Sequence, residues 1–270
     1  MRFYDAHNHL QDERFAANRG ELVTAAVGQG VARMVVNGAC EEDWPLVREL
    51  AKEFPQVLPS FGYHPWYLHE RSANWKQQLV QFLEAVPSAV GEIGLDRWKP
   101  ELPYEGQEEA FIWQLEIATE RNLPASIHCL EAWGRMHDLL CDNRRPARGF
   151  LLHSYGGSKE MVGPLAKLGA YFSFPGYFMH ERKKRQREAF RVVPLDRLLI
   201  ETDAPDQLLP DAANRFPLTD VAGKPINHPA NLAAVYEFIA KERGMPRESF
   251  ASQIEENFLR LFGIQFFCAI

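Results

Sequence analysis

Two histidines and an aspartate alternate near the start of the chain. The segment F-Y-D-A-H-N-H places Asp5, His7 and His9 two residues apart. In an extended strand, residues two apart point to the same face, so both imidazoles can reach one metal ion. A single histidine at a strand end is ordinarily just a polar residue there. Two histidines at this spacing, following an aspartate, favour a metal site.

Four further imidazole or carboxylate side chains lie at or just after the end of a short apolar run. Glu92 ends A-V-G-E, His128 ends A-S-I-H, His153 ends F-L-L-H and Asp203 ends L-L-I-E-T-D. If each run is a strand of a barrel, these residues converge at the C-terminal face, where the active sites of such barrels lie. The alternative is that unrelated polar residues cap buried strands, which requires the same coincidence five times, at the first strand and at these four.

The elements that must position these residues alternate along the chain. Short β-branched apolar runs are separated by amphipathic stretches of helical length, as in a parallel sheet with crossover helices. We predict strands near Phe3–Asp5, Ala32–Asn37, Val57–Gly62, Ala89–Glu92, Ala125–His128, Gly149–His153, Ala170–Phe174 and Leu198–Thr202. Eight such units predict an α/β fold, a closed (β/α)8 TIM barrel. An open doubly wound sheet is the alternative, but no glycine-rich dinucleotide loop follows the first strand.

Helices are predicted between the strands and after the last one. They lie near Asn18–Gln29, Glu42–Phe54, Trp75–Val86, Glu105–Asn122, Ala132–Cys141, Ser158–Leu168, Glu181–Val192, Pro229–Arg243 and Arg247–Phe262. The long irregular stretch Gln207–His228 follows the eighth strand. Loops of that length are uncommon unless they serve a function, so we expect this one at the rim of the site.

Length and composition predict one domain spanning residues 1–270, since 270 residues of which 46% are hydrophobic can fill a large core. The net charge of −6 argues against a globally basic nucleic-acid binder, but not against local binding at a cationic centre. No basic leader and no run of roughly 20 apolar residues is present, so we expect a cytoplasmic protein without a membrane segment. The four scattered cysteines are expected to be buried thiols.

Several motifs, in this order and spacing, resemble a known family. They are D-A-H-N-H (Asp5–His9), G-Y-H-P-W (Gly62–Trp66), G-E-I-G-L-D (Gly91–Asp96), I-H (Ile127–His128), H-S-Y-G-G (His153–Gly157), E-T-D-A-P (Glu201–Pro205) and E-N-F-L-R-L-F (Glu256–Phe262). The sequence is similar nearly end to end to the TatD-like metal-dependent hydrolases, a branch of the amidohydrolase-type barrels. It departs from the family where many relatives carry asparagine-glutamate-proline and this chain has Asn227, His228 and Pro229. The apolar end, Phe266–Ile270, is also unlike the family, and we expect it to pack on the barrel or contact another subunit.

The resemblance implies a centre with two divalent metal ions per subunit. It assigns His7, His9, Glu92 and Asp203 to one ion and Glu92, His128 and His153 to the other, so that Glu92 bridges the two. Four histidines and two carboxylates suit zinc, manganese, iron or cobalt better than magnesium. Family members are nevertheless described as magnesium-dependent, so the identity of the metal stays open.

The expected chemistry is hydrolysis by a metal-activated water. Asp203 is the predicted general base, with Glu92 as the other catalytic carboxylate. Asp5 and Glu201 are candidates to orient the ligands, although Glu201 could equally be a buried salt-bridge partner. His64 is a candidate to contact a substrate oxygen, or else a rim histidine packed on Pro65 and Trp66.

The resemblance points first to a phosphodiesterase, a 3′-5′ deoxyribonuclease acting on single-stranded DNA. The alternatives are an ester or amide hydrolase, for example one that removes an aminoacyl group from tRNA or opens a small cyclic substrate, and a catalytically inert barrel that binds a partner. The basic run Arg182–Arg187 is either a solvated face or a phosphate-tracking patch. In the second case, aromatic residues nearby would stack on bases, namely Trp66, Tyr67, Tyr177 and Phe178. The oligomeric state is not readable from the sequence.

Overall fold

The structure, a computed structural model, describes residues 1–263 of the chain. Its centre is an eight-stranded parallel sheet in which each strand is hydrogen-bonded to the next in the order of the sequence. The strands are β1 (Phe3–Asn8), β2 (Val31–Asn37), β3 (Val57–Phe61), β4 (Ala89–Asp96), β5 (Ala125–Leu130), β6 (Phe150–Leu152), β7 (Ala170–Pro175) and β8 (Leu198–Glu201). All eight strands predicted from the sequence are present.

The first and last strands come together and nearly close the sheet into a barrel. Just beyond β8, the Asp203 amide donates to the His7 carbonyl at 3.0 Å, and the His9 amide donates to the Ala204 carbonyl at 2.8 Å. The predicted (β/α)8 barrel is therefore confirmed. This seam lies at the C-terminal ends of both strands. Barrel closure itself therefore sets the distances between the predicted site residues His7, His9 and Asp203.

Helices surround the barrel, one after each of the first seven strands and two after the last. They are α1 (Arg19–Gly28), α2 (Trp44–Glu53), α3 (Trp75–Ala85), α4 (Gln107–Glu120), α5 (Trp133–Asp142), α6 (Lys159–Lys167), α7 (Lys184–Val192), α8 (Leu232–Glu242) and α9 (Arg247–Phe262). In α2 the buried residues are Trp44, Val47 and Leu50, spaced by three, which is the apolar stripe of a helix packed on a sheet.

The strands are covered on both faces. Every residue of β3, β4, β7 and β8 is buried, which explains why these segments are near-continuous apolar runs instead of alternating ones. The helical layer is also tied to the barrel by polar contacts. The Tyr236 hydroxyl of α8 donates to the Tyr4 carbonyl and accepts from the Tyr4 amide, both at 3.0 Å.

Two glycines of the G-E-I-G-L-D motif allow β4 and β5 to approach closely. Gly94 has a φ of +150°, and a Cβ there would lie 1.9 Å from the His128 carbonyl oxygen. A Cβ on Gly91 would lie 2.8 Å from the Ser126 Cβ. Neither position has room for a side chain, so these glycines allow Glu92 and His128 to face the same cavity.

The loop after β8 is more ordered than the sequence indicated. Within residues 207–228 it contains a short antiparallel hairpin of β9 (Leu218–Thr219) and β10 (Pro225–Ile226). Asp220 stabilises the turn by accepting from the amides of Ala222 and Lys224. Strands of two residues are too short to produce a readable alternation of apolar and polar residues.

Among residues 1–263, no helix combines the length and apolar character needed to cross a bilayer. Cys129 is buried, Cys40 is half-buried and Cys141 is exposed. The expectation of buried thiols is therefore right for Cys129 and wrong for Cys141, which lies on the solvent side of α5. Cys268 and the apolar end Phe266–Ile270 fall outside the described residues.

Candidate metal centre

The six predicted ligands meet at the C-terminal end of the barrel. His7 is in β1, with His9 just beyond it, while Glu92 is in β4 and His128 in β5; His153 directly follows β6 and Asp203 lies two residues after β8. All but His9 are buried, and His9 is partly buried. The structure thus brings together residues that are as much as 196 positions apart in the sequence.

Glu92 lies between two pairs of histidines. Its Oε2 atom is 3.3 Å from Nε2 of His7 and 3.3 Å from Nε2 of His9. Its Oε1 atom is 2.8 Å from Nε2 of His153 and 3.0 Å from Nδ1 of His128. One carboxylate oxygen therefore faces each pair, which is the arrangement that a bridging ligand requires.

Asp203 completes the side of the centre formed by His7 and His9. Its Oδ1 atom lies 3.5 Å from Nε2 of His9 and 3.7 Å from Nε2 of His7. The residue has a φ of +51°, a left-handed conformation that is uncommon for a residue with a side chain. Such conformations cluster at functional sites.

The two sides of the centre adjoin each other. The rings of His7 and His153 are stacked, with centroids 4.0 Å apart. Three overlapping groups of ligand atoms lie close enough to hold a metal ion: His7, His153 and Asp203; His7, His9 and Glu92; and His64, Glu92 and His128. The donor atoms therefore form one continuous cluster.

In two of the histidines, the ring nitrogen that points away from Glu92 shows where the proton lies. The other nitrogen of each ring then has a lone pair directed at the centre. Nδ1 of His9 is 2.9 Å from the Asn37 carbonyl oxygen, and Nε2 of His128 is 2.8 Å from Oδ2 of Asp96. Both partners are acceptors, so these nitrogens must carry the proton, and the inner nitrogens of the neutral rings carry lone pairs. Lone pairs directed at carboxylate oxygens fit a shared divalent cation, and the chemistry of this donor set therefore suits a metal centre.

The electrostatics of the cluster also favour a cation. Burial raises the pKa of the Glu92 carboxyl, but the neighbouring His153, His64 and His7 outweigh it, so the pKa lies well below its usual value. Burial lowers the pKa of His9, but hydrogen bonds to Asp203 and Glu92 raise it well above its usual value. The negative charge that attracts a proton to this ring also attracts a metal ion.

Asp5 is placed behind the ligands. It is buried and accepts from the Thr202 amide and hydroxyl, from the Asn8 side chain and from the His7 amide, at 2.6–3.3 Å. Burial raises its pKa to about 7, against the opposing effect of these hydrogen bonds. Asp5 therefore links Thr202, the residue before Asp203, to strand β1. Within the described residues, it makes no hydrogen bond to the ring of a predicted ligand.

Glu201 lies behind His153. It is fully buried and accepts from the amide and hydroxyl of Ser154 and from the hydroxyl of Ser173. Its Oε1 atom is 3.9 Å from Nδ1 of His153, a nitrogen that has no hydrogen-bond partner among residues 1–263. Burial raises the pKa of Glu201 to about 7. Its position is consistent with a role in orienting His153.

His64 lies inside the cluster instead of on the outer rim. Its Nε2 atom is 3.3 Å from Oε1 of Glu92, and its Nδ1 atom accepts from the Trp66 amide at 3.1 Å. Because Nδ1 accepts, the proton of a neutral ring is on Nε2. His64 can therefore donate a hydrogen bond into the centre, which suits contact with a substrate oxygen better than metal ligation.

Three supporting contacts were missed by the sequence analysis. They are the Asp96 carboxylate on His128, the Ser126 hydroxyl 2.9 Å from Nδ1 of His7, and the Asn37 carbonyl on His9. The alternation of a strand could have identified two of them, since Asp96 is four residues after Glu92 and Ser126 is two before His128. No sequence signal marks the Asn37 carbonyl, because any residue supplies that atom.

The basic run after β7 is divided between two roles. Arg187 donates to the carbonyl oxygens of Phe178 and His180, which makes it part of the local fold. The charged groups of Arg182 and Lys183 lie over the ring of Tyr177, at 5.2 and 4.6 Å from its centroid. Phe178 is buried, so its ring is not available for stacking on a base.

Comparison with known proteins identifies the family of the chain. A profile of the TatD-related DNase family matches residues 4–263. A protein of Escherichia fergusonii named 3′-5′ ssDNA/RNA exonuclease TatD is 32% identical over 269 residues, covering 97% of this chain and 100% of that protein. The uncharacterized metal-dependent hydrolase YabD of Bacillus subtilis is 32% identical, with coverage of 97% and 99%.

Solved structures share the fold over nearly the whole chain. The crystal structure of YjjV, a TatD homologue from Escherichia coli, superposes with a TM-score of 0.87 at 28% identity, covering 96% of this chain and 97% of that one. A TatD-family hydrolase from Entamoeba histolytica superposes with a TM-score of 0.84 at 17% identity, covering 97% and 98%, and this likeness supports the fold alone.

Proposed function

The chain belongs to the TatD-related DNase family, and on that premise we propose that it is a metal-dependent phosphodiesterase that removes nucleotides from the 3′ end of single-stranded DNA or RNA. The observation that carries the proposal is the position of Glu92, whose two oxygens each face a different pair of histidines. The relative named as an exonuclease supplies the substrate class.

Two divalent cations fit the donor set. His7, His9 and Asp203 would hold one, His128 and His153 the other, and Glu92 would contribute an oxygen to each. When bound, the cations would lower the pKa of a water molecule and polarise a phosphoryl oxygen. The imidazole-rich set suits zinc, manganese or cobalt, whereas magnesium prefers oxygen ligands.

Asp203 is the proposed general base. Its carboxylate reaches the cluster from the seam between β1 and β8, close to His9 and His7. Burial raises its pKa, but His9 and the other histidines outweigh this effect and hold the pKa below its usual value, so the group is ionised near neutral pH. An ionised carboxylate in this place can accept the proton of the attacking water.

His64 is the proposed contact to the phosphate. Burial lowers its pKa to about 4, so the ring is neutral near pH 7 and offers the Nε2 proton as a hydrogen-bond donor. A neutral donor can bind a non-bridging phosphoryl oxygen without adding a competing positive charge at the metal centre. The single domain and the cytoplasmic location expected from the sequence remain predictions.

The proposal is tested by metal analysis and by hydrolysis. Protein purified without added metal is analysed for bound elements, then stripped and assayed with magnesium, manganese, zinc and cobalt restored one at a time. Single-stranded oligonucleotides labelled at the 5′ or the 3′ end report the direction of digestion. We expect about two equivalents of metal and stepwise shortening from the 3′ end.

His128→Ala is the informative variant, and His137→Ala is its matched control, since His137 is a histidine on the outer helix α5. We expect metal and activity to be lost in the first and retained in the second. Faster cleavage of aryl esters than of oligonucleotides would favour the ester or amide hydrolase instead. Absence of bound metal, with no metal restoring hydrolysis, would overturn the proposal.

A further inference from the structure

The loop after β4 carries a cation, Lys99, and an aromatic ring, Trp98. It lies beside the cluster of predicted metal ligands, which is called the metal cluster. Resting on the proposed nuclease function, we propose that Lys99, Trp66 and Trp98 form a subsite for the nucleotide next to the scissile phosphate. In this subsite the Lys99 ammonium binds the adjacent phosphate, and Trp98 stacks on a base. Trp98 and Lys99 occur in the sequence as D-R-W-K (Asp96–Lys99), directly after G-E-I-G-L, whereas Trp66 ends the G-Y-H-P-W motif after β3.

One carboxylate joins this loop to the metal cluster. Oδ2 of Asp96 accepts from Nε2 of His128 and from the Trp66 indole, both at 2.8 Å. Oδ1 of Asp96 accepts from the amides of Trp98 at 2.7 Å and Lys99 at 3.3 Å. The backbone of Trp98 and Lys99 is therefore held by the same group that orients a predicted metal ligand.

The Lys99 ammonium lies on the Trp66 ring, and it has no anionic partner among the described residues. Its Nζ atom lies 3.4 Å from the centroid of the Trp66 ring. Within residues 1–263, no carboxylate oxygen forms an ion pair with it, whereas Arg135 of α5 pairs with Glu108 at 2.6 Å. In a chain of net charge −6, an ammonium without a counter-ion beside the site is suited to a phosphate.

Trp98 adds an exposed aromatic surface. Its side chain is among the few large apolar ones exposed to solvent, with 55% of its surface accessible. In the part of the chain that the structure describes, its indole has no ring partner and no hydrogen bond. Aromatic rings of this kind stack on nucleobases without sequence preference, as an exonuclease that digests a strand stepwise requires.

The position of Lys99 favours the adjacent phosphate over the scissile one. The ammonium contacts Trp66, whose ring lies 6.1 Å from that of His128, and among the described residues it forms no ion pair with Glu92 or Asp203. Its charge therefore lies outside the metal cluster. A substrate with only one phosphate would fill the cluster and leave this subsite unused.

Lys99→Met tests the cation, because methionine keeps an unbranched apolar stem against Trp66 and removes the charge. Arg197→Met is the matched control: the Arg197 guanidinium also lies over an aromatic ring, 5.0 Å from the centroid of Tyr171, but at the opposite end of the barrel. Binding of a fluorescent single-stranded decanucleotide is measured in an Asp203→Asn background at several salt concentrations. Hydrolysis of the decanucleotide and of bis(4-nitrophenyl) phosphate is measured in the wild-type background.

We expect Lys99→Met to weaken oligonucleotide binding by about tenfold and to reduce the salt slope by about one, while Arg197→Met changes neither. Trp98→Ala is expected to weaken binding by about tenfold with an unchanged salt slope, since it removes stacking and no charge. For Lys99→Met, kcat/KM should fall about tenfold more on the oligonucleotide than on bis(4-nitrophenyl) phosphate. This fall should come from a higher KM for the oligonucleotide, with kcat little changed.

Identical binding and identical salt slopes for Lys99→Met and Arg197→Met would overturn the subsite even if the enzyme is a nuclease. Equal losses on the two substrates would also overturn it, because they would indicate a structural effect on the metal cluster. Failure of the wild-type protein to cleave either substrate would contradict the nuclease function instead. Binding is measured separately, so it still decides whether Lys99 contacts the strand.

Discussion

The two histidine pairs on either side of Glu92 are supported by different kinds of partner. On the β1 side, His7 and His9 are backed by uncharged oxygens, the Ser126 hydroxyl and the Asn37 carbonyl, both at 2.9 Å. On the β5 and β6 side, His128 is hydrogen-bonded to the Asp96 carboxylate at 2.8 Å, and His153 has the Glu201 carboxylate 3.9 Å away.

This difference indicates that the two sides have different functions, one mainly in holding a cation and the other in supplying the general base. A carboxylate behind a metal-binding histidine raises its basicity and fixes its orientation, whereas a neutral oxygen mainly fixes its orientation. Burial raises the pKa of Asp96, but His128 and Trp66 outweigh it and hold the pKa at about 2, so this carboxylate is charged under all ordinary conditions. We therefore expect the β5 and β6 side to hold its cation more tightly, while the β1 side, which contains Asp203, carries the base.

Replacing Glu92 should have the largest effect, because Glu92 belongs to both sides. We expect Glu92→Gln to lower kcat by more than the roughly 10⁴-fold that a lost general base alone can cost, since the bridging charge is removed. Elemental analysis should find both equivalents of metal reduced. Glu84→Gln is the control, since Glu84 forms a surface ion pair with Arg121. Full retention of metal by Glu92→Gln would show that the histidines hold the cations without it.

Replacing Asp203 should remove the proposed general base together with one oxygen ligand of the cation on the β1 side. We expect Asp203→Asn to lower kcat by about 10³-fold, within the range for removal of a general base. The seam between β1 and β8 is held by backbone hydrogen bonds, which this substitution leaves in place, so circular dichroism should be unchanged. Asp138→Asn, on α5, is the control. Unchanged kcat would remove Asp203 from the role of base.

Much of this architecture was predictable because its signals are local in the sequence. The eight strands follow from short apolar runs, and the six predicted ligands follow those runs directly. The ligands converge because all strands of a parallel barrel end at one face. His7 and His9 needed only the two-residue period of a strand to be assigned to the same side.

The remaining contacts depend on distances between strands, which the sequence does not encode locally. Asp96 and His128 are 32 residues apart, and they meet because Gly94 lets β4 approach β5. From the sequence, His64 is either a contact to a substrate oxygen or a rim histidine, and only the turn that begins at Pro65 shows that its ring points towards Glu92. The hairpin of β9 and β10 depends on Asp220 binding two amides, which no apolar pattern indicates.

Replacing Asp96 should weaken only the β5 and β6 side. We expect Asp96→Asn to lower metal affinity by about 10- to 100-fold, the usual cost of removing a carboxylate behind a ligand histidine. Metal titration should show one of two equivalents weakened and the other nearly unchanged. Asp220→Asn is the matched control, because Asp220 also accepts from two backbone amides but lies far along the chain in the hairpin. Equal weakening of both equivalents would contradict the division between the two sides.

Replacing Ser126 should have the smallest effect, and it tests the neutral side of the comparison. Ser126→Ala removes the hydroxyl beside Nδ1 of His7 but keeps the Cβ that packs against Gly91. The loss of one neutral hydrogen bond predicts metal binding that is weaker by between about two- and tenfold. Ser88→Ala is the matched control, since Ser88 is a buried serine just before β4 whose hydroxyl has no partner among residues 1–263. If Ser126→Ala costs as much as Asp96→Asn, the charge of the partner does not matter, and orientation of the ring is the common function of both.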